Sequence, residues 1–286
     1  MKRILLFMLP AVIMLAGACS KTTTKTPTPA PAPVYLASST PTTKSVVIED
    51  FTGVRCGYCP TGHDIAQTFS DNNPGKVILI STHSGPYATY EAGWPDYTTS
   101  FGAAINAQSG IAGYPAGAIN RRVFTTPCQQ QAGGMANTLT SNTWYSAGTT
   151  VLGETSPVNI GLKSTFDASS RTLTVTAETY YTADETVANN LNVGLLEDNV
   201  VGIQEDYRTP SPYIVYKYNQ MDMLRTYMTG QWGETLTTTK TGNRTTKTYT
   251  YVVPGAYNID NCRVVAFVTE GHVNILTGAQ TIANGK

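Results

Sequence analysis

The sequence has few charged residues, few histidines and no long apolar run beyond its N-terminal segment. Charged residues make up 13% of the 286 positions, well below the usual quarter, and 19 basic residues balance 19 acidic ones. A protein that finds nucleic acid by charge carries a basic patch and a high pI, whereas this sequence has a pI of about 6.8. Nucleic acid is therefore not an expected partner. The 17 Tyr, 16 Pro and 25 Gly, together with many threonines, indicate a folded, turn-rich, β-rich exported protein.

The N-terminal segment has the features of a secretory signal peptide over residues 1–18. A basic pair at 2–3 precedes an apolar stretch at 4–14, and small residues follow. The apolar stretch is too short to cross a bilayer as a helix, which takes about 20 residues. The segment 15–19, LAGAC, resembles a bacterial lipobox, which implies that Cys19 is lipidated and anchors the protein. Ordinary signal cleavage that leaves an unused cysteine is the alternative.

Residues 19–44 are predicted to be the lipidated cysteine followed by a tether. Positions 20–44 contain five Pro and eight Thr and almost no apolar side chains, so they cannot offset the entropy lost on ordering. Such a composition favours an extended, semi-rigid linker of about 3.1 Å per residue.

The remaining chain divides into two predicted regions by its hydrophobic pattern. In residues 45–155, apolar strands at 46–48 and 77–80 alternate with helical stretches near 65–69 and 101–107, which indicates a βαβ core. In residues 156–286, apolar residues alternate with polar ones between turn residues, which is typical of an antiparallel sandwich. The Met, Leu and Tyr spacing at 213–232 is closer to helical and predicts a helical insertion there.

The strongest chemical signal is a CxxC motif, Cys56-Gly57-Tyr58-Cys59, between a predicted strand and a predicted helix. Backbone N–H groups at a helix N-terminus stabilise a thiolate, so Cys56 is the candidate nucleophile and Cys59 the resolving cysteine. Arg55 adds positive charge beside them. Pro60 has no N–H and fits only the first turn of a helix, which predicts that the helix begins at Gly57 or later.

The segment from Ile48 to Cys59 resembles the thioredoxin-like fold, in which a strand ending in Asp-Phe precedes the CxxC. The resemblance implies that Asp50 is a buried carboxylate that assists deprotonation of Cys59. It also implies a cis-proline against the dithiol, and Gly113-Tyr114-Pro115 before an apparent strand at 116–119 is similar to that element. The predicted catalytic residues are therefore Cys56, Cys59, Asp50 and Pro115, and the neighbouring Arg55, Tyr58 and Tyr114 are the candidate substrate-binding residues.

Four motifs in order resemble the outer membrane protein 28 (Omp-28-like) lipoprotein family of Bacteroidetes. They are FTGVRCGYCPTGH, GYPAGAINR, MLRTYMTGQWGE and NCRVVAFV. The resemblance implies a lipid-anchored protein of the outer membrane, on its periplasmic or cell-surface face. It also implies the fold class, an α/β thioredoxin-like domain followed by an all-β antiparallel, Ig-like sandwich.

Three interpretations of the CxxC stay open on the sequence alone. The pair can be redox-active, it can be a structural disulfide in an oxidising compartment, or it can bind a metal. Zinc would need two further ligands from only three histidines. Of these, His63 can share a helical face with Cys59, although a surface or packing role is the commoner one. We expect no metal and no cofactor; haem attachment is excluded because Pro60 follows the motif.

Other candidate features have both a functional and a structural interpretation. Cys128 and Cys262 form an even pair that permits a bridge between the two regions, but a buried free cysteine is equally ordinary. Tyr213, Tyr216 and Tyr218 could stack on sugars or contact a protein, although aromatic residues of a sheet face explain them better. Packing is likewise the favoured role of Trp232.

Two functions follow from these observations. The first is a cell-envelope lipoprotein that catalyses thiol-disulfide exchange on exported proteins, with their thiols or disulfides as partners. The second is a surface binding or adhesion lipoprotein for a protein or glycan ligand, in which the Cys pair is a structural disulfide.

Overall fold

The computed structural model describes residues 34–111, 113–124 and 143–285, and the chain from Tyr35 onward is one compact unit. The predicted signal peptide, Cys19 and Cys128 lie outside the described residues. In the described residues, three α-helices and thirteen strands follow one another in chain order: β1 Val46–Thr52, α1 Cys59–Asp71, β2 Val77–His83, α2 Gly102–Ser109, β3 Ala116–Ile119, α3 Thr143–Leu152, β4 Val158–Asp167, β5 Thr172–Tyr181, β6 Asn189–Glu197, β7 Val200–Glu205, β8 Ile214–Gln220, β9 Met223–Tyr227, β10 Glu234–Leu236, β11 Arg244–Val252, β12 Cys262–Glu270 and β13 Val273–Ile282. A single 3-10 turn at Ile259–Asn261 precedes β12.

The largest sheet joins strands from both predicted regions. Its order is β13-β12-β6-β9-β2-β1-β3, with β10 paired to β6. Strands β1 and β2 are parallel and are connected by α1, which is the βαβ unit expected from the sequence. Strand β9 pairs with β2 on one side and with β6 on the other. The hydrophobic pattern changes at the predicted boundary at 155, but strands from both sides of this boundary belong to one sheet.

A second sheet, with the order β11-β5-β4, is antiparallel throughout. Its apolar face packs against strands of the large sheet in a core that includes Leu173, Val175, Val193 and Val264, all fully buried. The other face is open except where Leu36 and Ala37 lie over Gly161 and Glu178, so β11 alternates between half-buried and exposed residues. The antiparallel pairing expected for residues 156–286 is present. Strands β7 and β8 form a separate two-stranded hairpin.

Two cores lie on the two faces of the β1–β2 pair. On one face, α1 and α3 cover Val46 and Ile48, and the side chains of Phe69 and Trp144 fill this layer. The opposite face, which includes Phe51, packs on residues contributed by β6, β9, β12 and β13. Because both faces are covered, every residue of β1, β2 and β6 is buried.

A buried ion pair connects β1 with the residues after β3. Both nitrogens of the Arg121 side chain that face Glu49 donate to its carboxylate, Nε to Oε2 at 2.8 Å and Nη2 to Oε1 at 2.6 Å. The side chains of Arg121 and Glu49 are 3% and 0% exposed. The guanidinium also lies 5.2 Å from the ring centroid of Phe267 and 5.9 Å from that of Trp232. Phe267 and Trp232 belong to the second predicted region, so these contacts of Arg121 also join the two regions.

The helical insertion predicted at 213–232 is wrong, because the described structure has strands β8 and β9 there. In β9, the consecutive residues Met223 and Leu224 are both buried, and Tyr227 is buried as well. A strand inside a sheet that is covered on both faces loses its period-two alternation. The resulting spacing of apolar residues is close to helical, which explains the error.

The tether prediction for residues 19–44 is wrong for residues 35–44. These residues are held against the folded part of the chain. The N–H groups of Leu36 and Ala37 both donate to Glu178 Oε1 at 2.9 Å. Ala37 is 3% exposed, and Lys44 pairs with Glu154 at 2.8 Å. Hydrogen bonds of this kind compensate for the low apolar content on which the tether prediction rested.

Candidate functional site

The CxxC motif lies in the turn between β1 and α1, as the sequence predicts. Cys56 and Cys59 form a disulfide, and helix α1 begins at Cys59 with Pro60 in its first turn. The N–H of Cys59 donates to the carbonyl of Cys56 at 3.1 Å, so the motif is a tight turn before the helix. Cys56 is 2% exposed and Cys59 is 0% exposed. The disulfide is therefore buried in this structure.

The β7–β8 hairpin, residues 200–220, covers the disulfide loop. The N–H of Glu205 donates to the carbonyl of Val54 at 2.8 Å, and the N–H of Tyr207 donates to that of Gly57 at 2.9 Å. The amide of Gln204, itself fully buried, donates to the carbonyls of Gly53 and Cys56 at 3.2 Å each. Four hydrogen bonds thus join the hairpin to the backbone around the cysteines.

An aromatic contact completes this cover. The ring of Tyr207 lies so close to Gly57 that a Cβ at that position would stand 2.4 Å from Tyr207 Cδ1. Only glycine admits this approach. Tyr207 also makes edge-to-face contacts with Tyr58 and Tyr213, with ring centroids 4.9 and 5.3 Å apart. These three tyrosines are each more than two-fifths exposed and form an aromatic surface next to the disulfide loop.

A polar cluster of buried and half-buried side chains lies on the side of α1 that faces β1 and β8. His63 Nε2 is 3.3 Å from Asp50 Oδ2 and 2.9 Å from Thr52 Oγ1. His63 Nδ1 is 2.8 Å from the hydroxyl of Tyr218. Because His63 follows Cys59 by one helical turn, this cluster lies beneath the same part of α1 that carries the disulfide.

Burial dominates the ionisation of this cluster. It raises the pKa of Asp50 well above its ordinary value, and the nearby Asp222 raises it further. Burial likewise lowers the pKa of His63 to about 4, helped by Arg208 and opposed by Asp206. Burial therefore favours the protonated form of the Asp50 carboxyl and the neutral form of the His63 imidazole.

A cavity of about 160 Å³ adjoins the cluster. Its lining includes Asp50, His63, Ser81, Tyr218 and Asp222. Burial raises the pKa of Asp222 to about 6, although its ion pair with Arg263 opposes that rise. Within the described ranges, no group of three or more His, Cys, Asp or Glu side chains is placed to hold a metal ion.

The other predicted site residues have defined positions. The Tyr114–Pro115 bond is cis, as the resemblance implied, and Pro115 packs on α1 at Gly62. The hydroxyl of Tyr114 accepts a hydrogen bond from Asn106 at 2.5 Å. Arg55 is engaged by Glu91 and by carbonyls of the 86–89 loop, so it holds that loop. Of the three candidate substrate-binding residues, Tyr58 is the most exposed.

The remaining sequence candidates divide between structural roles and the site. Cys262 is free and buried, and burial raises the pKa of its thiol to about 12. Trp232 stacks on His272 with ring centroids 4.7 Å apart, in agreement with a packing role. Among the tyrosines of β8 and the preceding turn, Tyr216 is exposed, whereas Tyr218 bonds to His63 and belongs to the buried cluster.

Several residues of the site have no signal in the sequence. Gln204 and Tyr207 come from a hairpin about 150 residues after the CxxC, and no motif connects them to it. Asp222 comes near Asp50 only through the pairing of β9 with β2, and Tyr218 only through the packing of the separate β7–β8 hairpin on α1. For His63, the four-residue spacing from Cys59 is a usable signal, but the sequence favours a surface or packing role for it.

A second buried histidine provides a test of the site's electrostatics. His83 is 4% exposed, its Nε2 has no hydrogen-bond partner among the described residues, and its ring lies 5.3 Å from that of Tyr97. Burial, followed by His63 and Arg225, lowers its pKa from 6.5 to about 3. The unfolded chain therefore binds a proton that the folded chain does not, and stability present above pH 6.5 is lost as the pH falls towards 3.

We expect a His83→Phe variant to lose less stability on acidification than the parent protein. Denaturant unfolding at pH 7, 6, 5 and 4 should give curves of stability against pH whose slopes differ by up to about 1.4 kcal/mol per unit. Comparing the two proteins cancels the opposite contributions of Asp50 and Asp222, whose pKa values are raised. Parallel curves would contradict a buried, neutral His83.

Comparison with known proteins identifies the family. The family model described as Outer membrane protein Omp28 matches residues 103–282, which is more than half of the chain. The chain belongs to the Omp28 family. Membership agrees with the predicted localisation, an exported protein anchored at the outer membrane. The matched range includes the GYPAGAINR, MLRTYMTGQWGE and NCRVVAFV motifs, whereas the CxxC precedes it.

Solved structures with a similar fold include two proteins of limited sequence identity. HBP35 of Porphyromonas gingivalis is 21% identical over 84% of this chain and 75% of that chain, with a TM-score of 0.62. A structural genomics target from Agrobacterium tumefaciens is 13% identical over 86% of this chain and 97% of its own, with a TM-score of 0.50.

A domain of the outer membrane lipoprotein Omp28 from Porphyromonas gingivalis is 20% identical over 45% of this Omp28-family chain and 89% of its own, with a TM-score of 0.31. No curated protein matches the chain. Among the residues that the structure describes, no helix combines the length and the apolar character needed to span a membrane.

Proposed function

We propose that this Omp28-family protein carries out thiol-disulfide exchange on exported proteins at the outer membrane. The observation that carries the proposal is the Cys56–Cys59 disulfide in the turn that opens α1, with the buried Asp50–His63 pair on the adjoining side of the helix. The helix N-terminus stabilises a thiolate, and a buried carboxylic acid can supply a proton to a leaving thiolate.

The arrangement around the cysteines supports a thioredoxin-like assignment for this region. Strand β1 leads into the CxxC, α1 follows it, and β2 returns parallel to β1. Strand β3 is antiparallel to β1 and follows the cis peptide at Pro115. An Ig-like assignment of the antiparallel layers after residue 156 is the second part of this proposed fold.

The proposed exchange has two steps. A thiolate of an exported protein attacks Cys56 Sγ, the bond between Cys56 and Cys59 breaks, and Cys59 Sγ leaves with the electron pair. Asp50 gives its proton to that sulfur. In the second step, another thiolate attacks the substrate sulfur of the mixed disulfide and releases Cys56 as a thiolate, so that two thiols become one substrate disulfide.

Exchange also requires access, since both cysteines are buried under the β7–β8 hairpin. The hairpin has to move away before a thiolate can reach Cys56. Its contacts with the disulfide loop are a few hydrogen bonds and the aromatic contacts of Tyr207. Such a local opening is far less costly than unfolding the protein.

The same burial favours a second candidate function. A disulfide enclosed by Gln204 and Tyr207 suits a structural role, in which it stabilises the loop before α1. The exposed tyrosines beside it offer a binding surface. Aromatic side chains give large contact areas at low entropic cost, which suits a protein or glycan ligand. In this case the protein would be a surface binding or adhesion lipoprotein.

Measuring the reduction potential of the Cys56–Cys59 couple separates the two functions. The full-length protein is equilibrated with glutathione buffers, free thiols are alkylated, and the peptide carrying both cysteines is quantified by mass spectrometry. We expect a value between about −120 and −270 mV, the range of exchange proteins. A value below about −300 mV would contradict exchange and favour the staple. A Cys262→Ser variant is the control for the other buried thiol.

A further inference from the structure

The cavity of about 160 Å³ lies between α1, strands β1 and β2, and the end of β8. Among the described residues on its wall there are three aspartates and a histidine, but no lysine or arginine. We infer that this cavity binds a primary ammonium group on a short alkyl stem, with the carboxylate of Asp50 as its counter-ion. The inference concerns a ligand site under α1 and goes beyond disulfide exchange, since the wall is the same whether the cysteine pair is catalytic or structural.

Strands β1 and β2 form the inner wall of the cavity. Side chains alternate between the two faces of a strand, so Asp50 lies on the same face as Ile48, which packs in the core beneath α1 and α3. The strand register places Ser81 beside Asp50, and both residues line the cavity. The Asp50 carboxyl therefore points towards α1, where its Oδ2 atom lies 3.3 Å from His63 Nε2.

The Asp50 carboxyl has a buried oxygen without a hydrogen bond. Asp50 is 4% exposed, and its Oδ1 atom has no hydrogen-bond partner among the described residues. The neighbouring His63 does not supply a positive charge, because burial lowers the pKa of its imidazole to about 4. A carboxylate in such a place needs both a donor and a counter-charge, since an isolated buried charge is costly. An ammonium ion provides both through one N–H···O bond.

The two other carboxylates on the wall already have cationic partners. Asp222 forms an ion pair with Arg263, Asp64 forms one with Arg208, and neither arginine lines the cavity. Asp50 is the remaining carboxyl, so a ligand with a single positive charge balances the wall. The described residues contain no group of three or more His, Cys, Asp or Glu side chains placed to hold a metal ion. Because the acidic wall also disfavours an anion, an organic cation is the class of ligand that fits.

The rest of the wall suits an alkyl stem. Ala66, Leu79 and Met221 contribute apolar side chains, and the hydroxyls of Ser81 and Tyr218 are further acceptors. An ammonium group has three N–H donors, so it can bond to a carboxylate and to hydroxyls while its methylene groups contact the apolar residues. A cavity of about 150 Å³ takes a molecule of the size of benzene, so n-butylamine fits in this one.

The outer end of the cavity is open to a ligand from solvent. Asp64, Gln67 and Asn219 line the cavity and are exposed. The buried Asp50 and Ser81 lie at the opposite, inner end. An alkylammonium therefore enters with its charged group first, and whatever carries the stem stays at the surface.

Binding should strengthen as the pH rises from 5 to 8. Burial and Asp222 raise the pKa of the Asp50 carboxyl, so the ammonium displaces a proton when it binds. Burial also raises the pKa of Asp222 to about 6, which acts in the same direction. The Tyr218 hydroxyl stays neutral over this range, because burial raises its pKa. The alkylammonium itself stays charged throughout.

The histidines near the cavity stay neutral over the same range. Burial and Arg208 lower the pKa of His63 to about 4, and Asp206 opposes this only in part. Burial, followed by His63 and Arg225, lowers the pKa of His83 on β2 to about 3. The titration of the acidic groups therefore controls how the affinity depends on pH.

Isothermal titration calorimetry of the full-length protein with n-butylammonium chloride tests the site. The matched neutral probe is n-butanol, because it has the same stem and a hydroxyl in place of the ammonium. At pH 8 we expect n-butylammonium to bind at least about tenfold more tightly than n-butanol. Equal affinities, or no saturable binding of n-butylammonium, would overturn the inference.

Asp50→Asn removes the counter-ion and keeps the size of the side chain. We expect this variant to bind n-butylammonium about tenfold or more weakly than the parent protein does. The matched control is Asp184→Asn, because Asp184 lies in the turn after β5 and its side chain is 59% exposed. Its affinity should stay within about twofold of the parent value. An unchanged affinity in Asp50→Asn would contradict the site.

The parent protein decides the question if Asp50→Asn fails to fold. Titrations at pH 6 in two buffers of different ionisation enthalpy measure the protons released per n-butylammonium bound. We expect a net release of protons together with an affinity that rises from pH 5 to 8. Binding without proton release and with a flat pH profile would show that no buried carboxyl takes part.

A third probe, Nα-acetyl-lysine N-methylamide, distinguishes the two sources of such a group, a free alkylamine and a lysine side chain of a protein. An affinity close to that of n-butylammonium assigns the cavity to lysine side chains. A much weaker one assigns it to free amines. Both results support the ammonium site, and they identify its ligand.

Discussion

A Gln204→Ala, Tyr207→Ala double variant is expected to reduce its Cys56–Cys59 disulfide with dithiothreitol about 10- to 100-fold faster than the parent protein. The substitutions remove two side-chain hydrogen bonds to the disulfide loop and the edge-to-face contact between Tyr207 and Tyr58. Such losses favour the open hairpin by about 2 to 3 kcal/mol, and each 1.4 kcal/mol changes its population tenfold. The rate is measured by alkylation of the released thiols at pH 8.

The matched control for this experiment is Tyr216→Ala. Tyr216 lies on the same hairpin and is 73% exposed, so its removal should leave the rate within about twofold of the parent value. Equal rates in the double variant, the control and the parent protein would show that the hairpin does not limit access. The potential of the couple and the rate of its reduction are separate quantities, and the double variant reports on the rate.

Arg121→Met is expected to lower the free energy of unfolding by about 3 to 5 kcal/mol. The substitution leaves the carboxylate of Glu49, which is 0% exposed, without the guanidinium that donates two hydrogen bonds to it and neutralises its charge. The expected loss is a large fraction of the stability of an ordinary domain. Denaturant unfolding followed by circular dichroism measures it.

Two further variants separate charge burial from the loss of packing. Arg122→Met removes an ion pair with Glu154, whose side chain is 32% exposed, and should cost less than about 1 kcal/mol. The double variant Glu49→Leu, Arg121→Met has no unpaired charge and should regain most of the stability lost in the single variant. If the double variant is as unstable as Arg121→Met, the packing of Arg121 on Phe267 and Trp232 is the larger contribution.

The local elements of the fold follow from the sequence, because their signals are local. The apolar runs at 46–48 and 77–80 are strands, and the CxxC and Pro60 mark the start of α1. The alternation at 173–177 likewise gives β5. In each case the residues that define the element lie within one or two turns or a single strand, so periodicity and turn chemistry suffice.

The arrangement of these elements depends on pairings that the sequence does not encode locally. The apolar spacing of β9 predicts a helix, because burial on both faces removes the alternation of a strand. In the structure, β9 pairs with β2 and with β6, and this pairing joins the two predicted regions in one sheet. For the site, Cys56, Cys59 and Asp50 are predictable from one motif and its resemblance. Gln204 and Tyr218 are not, because they reach the site only when the β7–β8 hairpin packs on the disulfide loop and α1, far away in the sequence.

The distance along the sequence between the disulfide and the β7–β8 hairpin bears on the order of events during biogenesis. Gln204 follows Cys56 by 148 residues, and a chain is synthesised from its N-terminus. The two cysteines therefore emerge long before the hairpin that encloses them. We expect them to be oxidised while they are still accessible, before the hairpin closes, so that the folded protein carries the disulfide from the start.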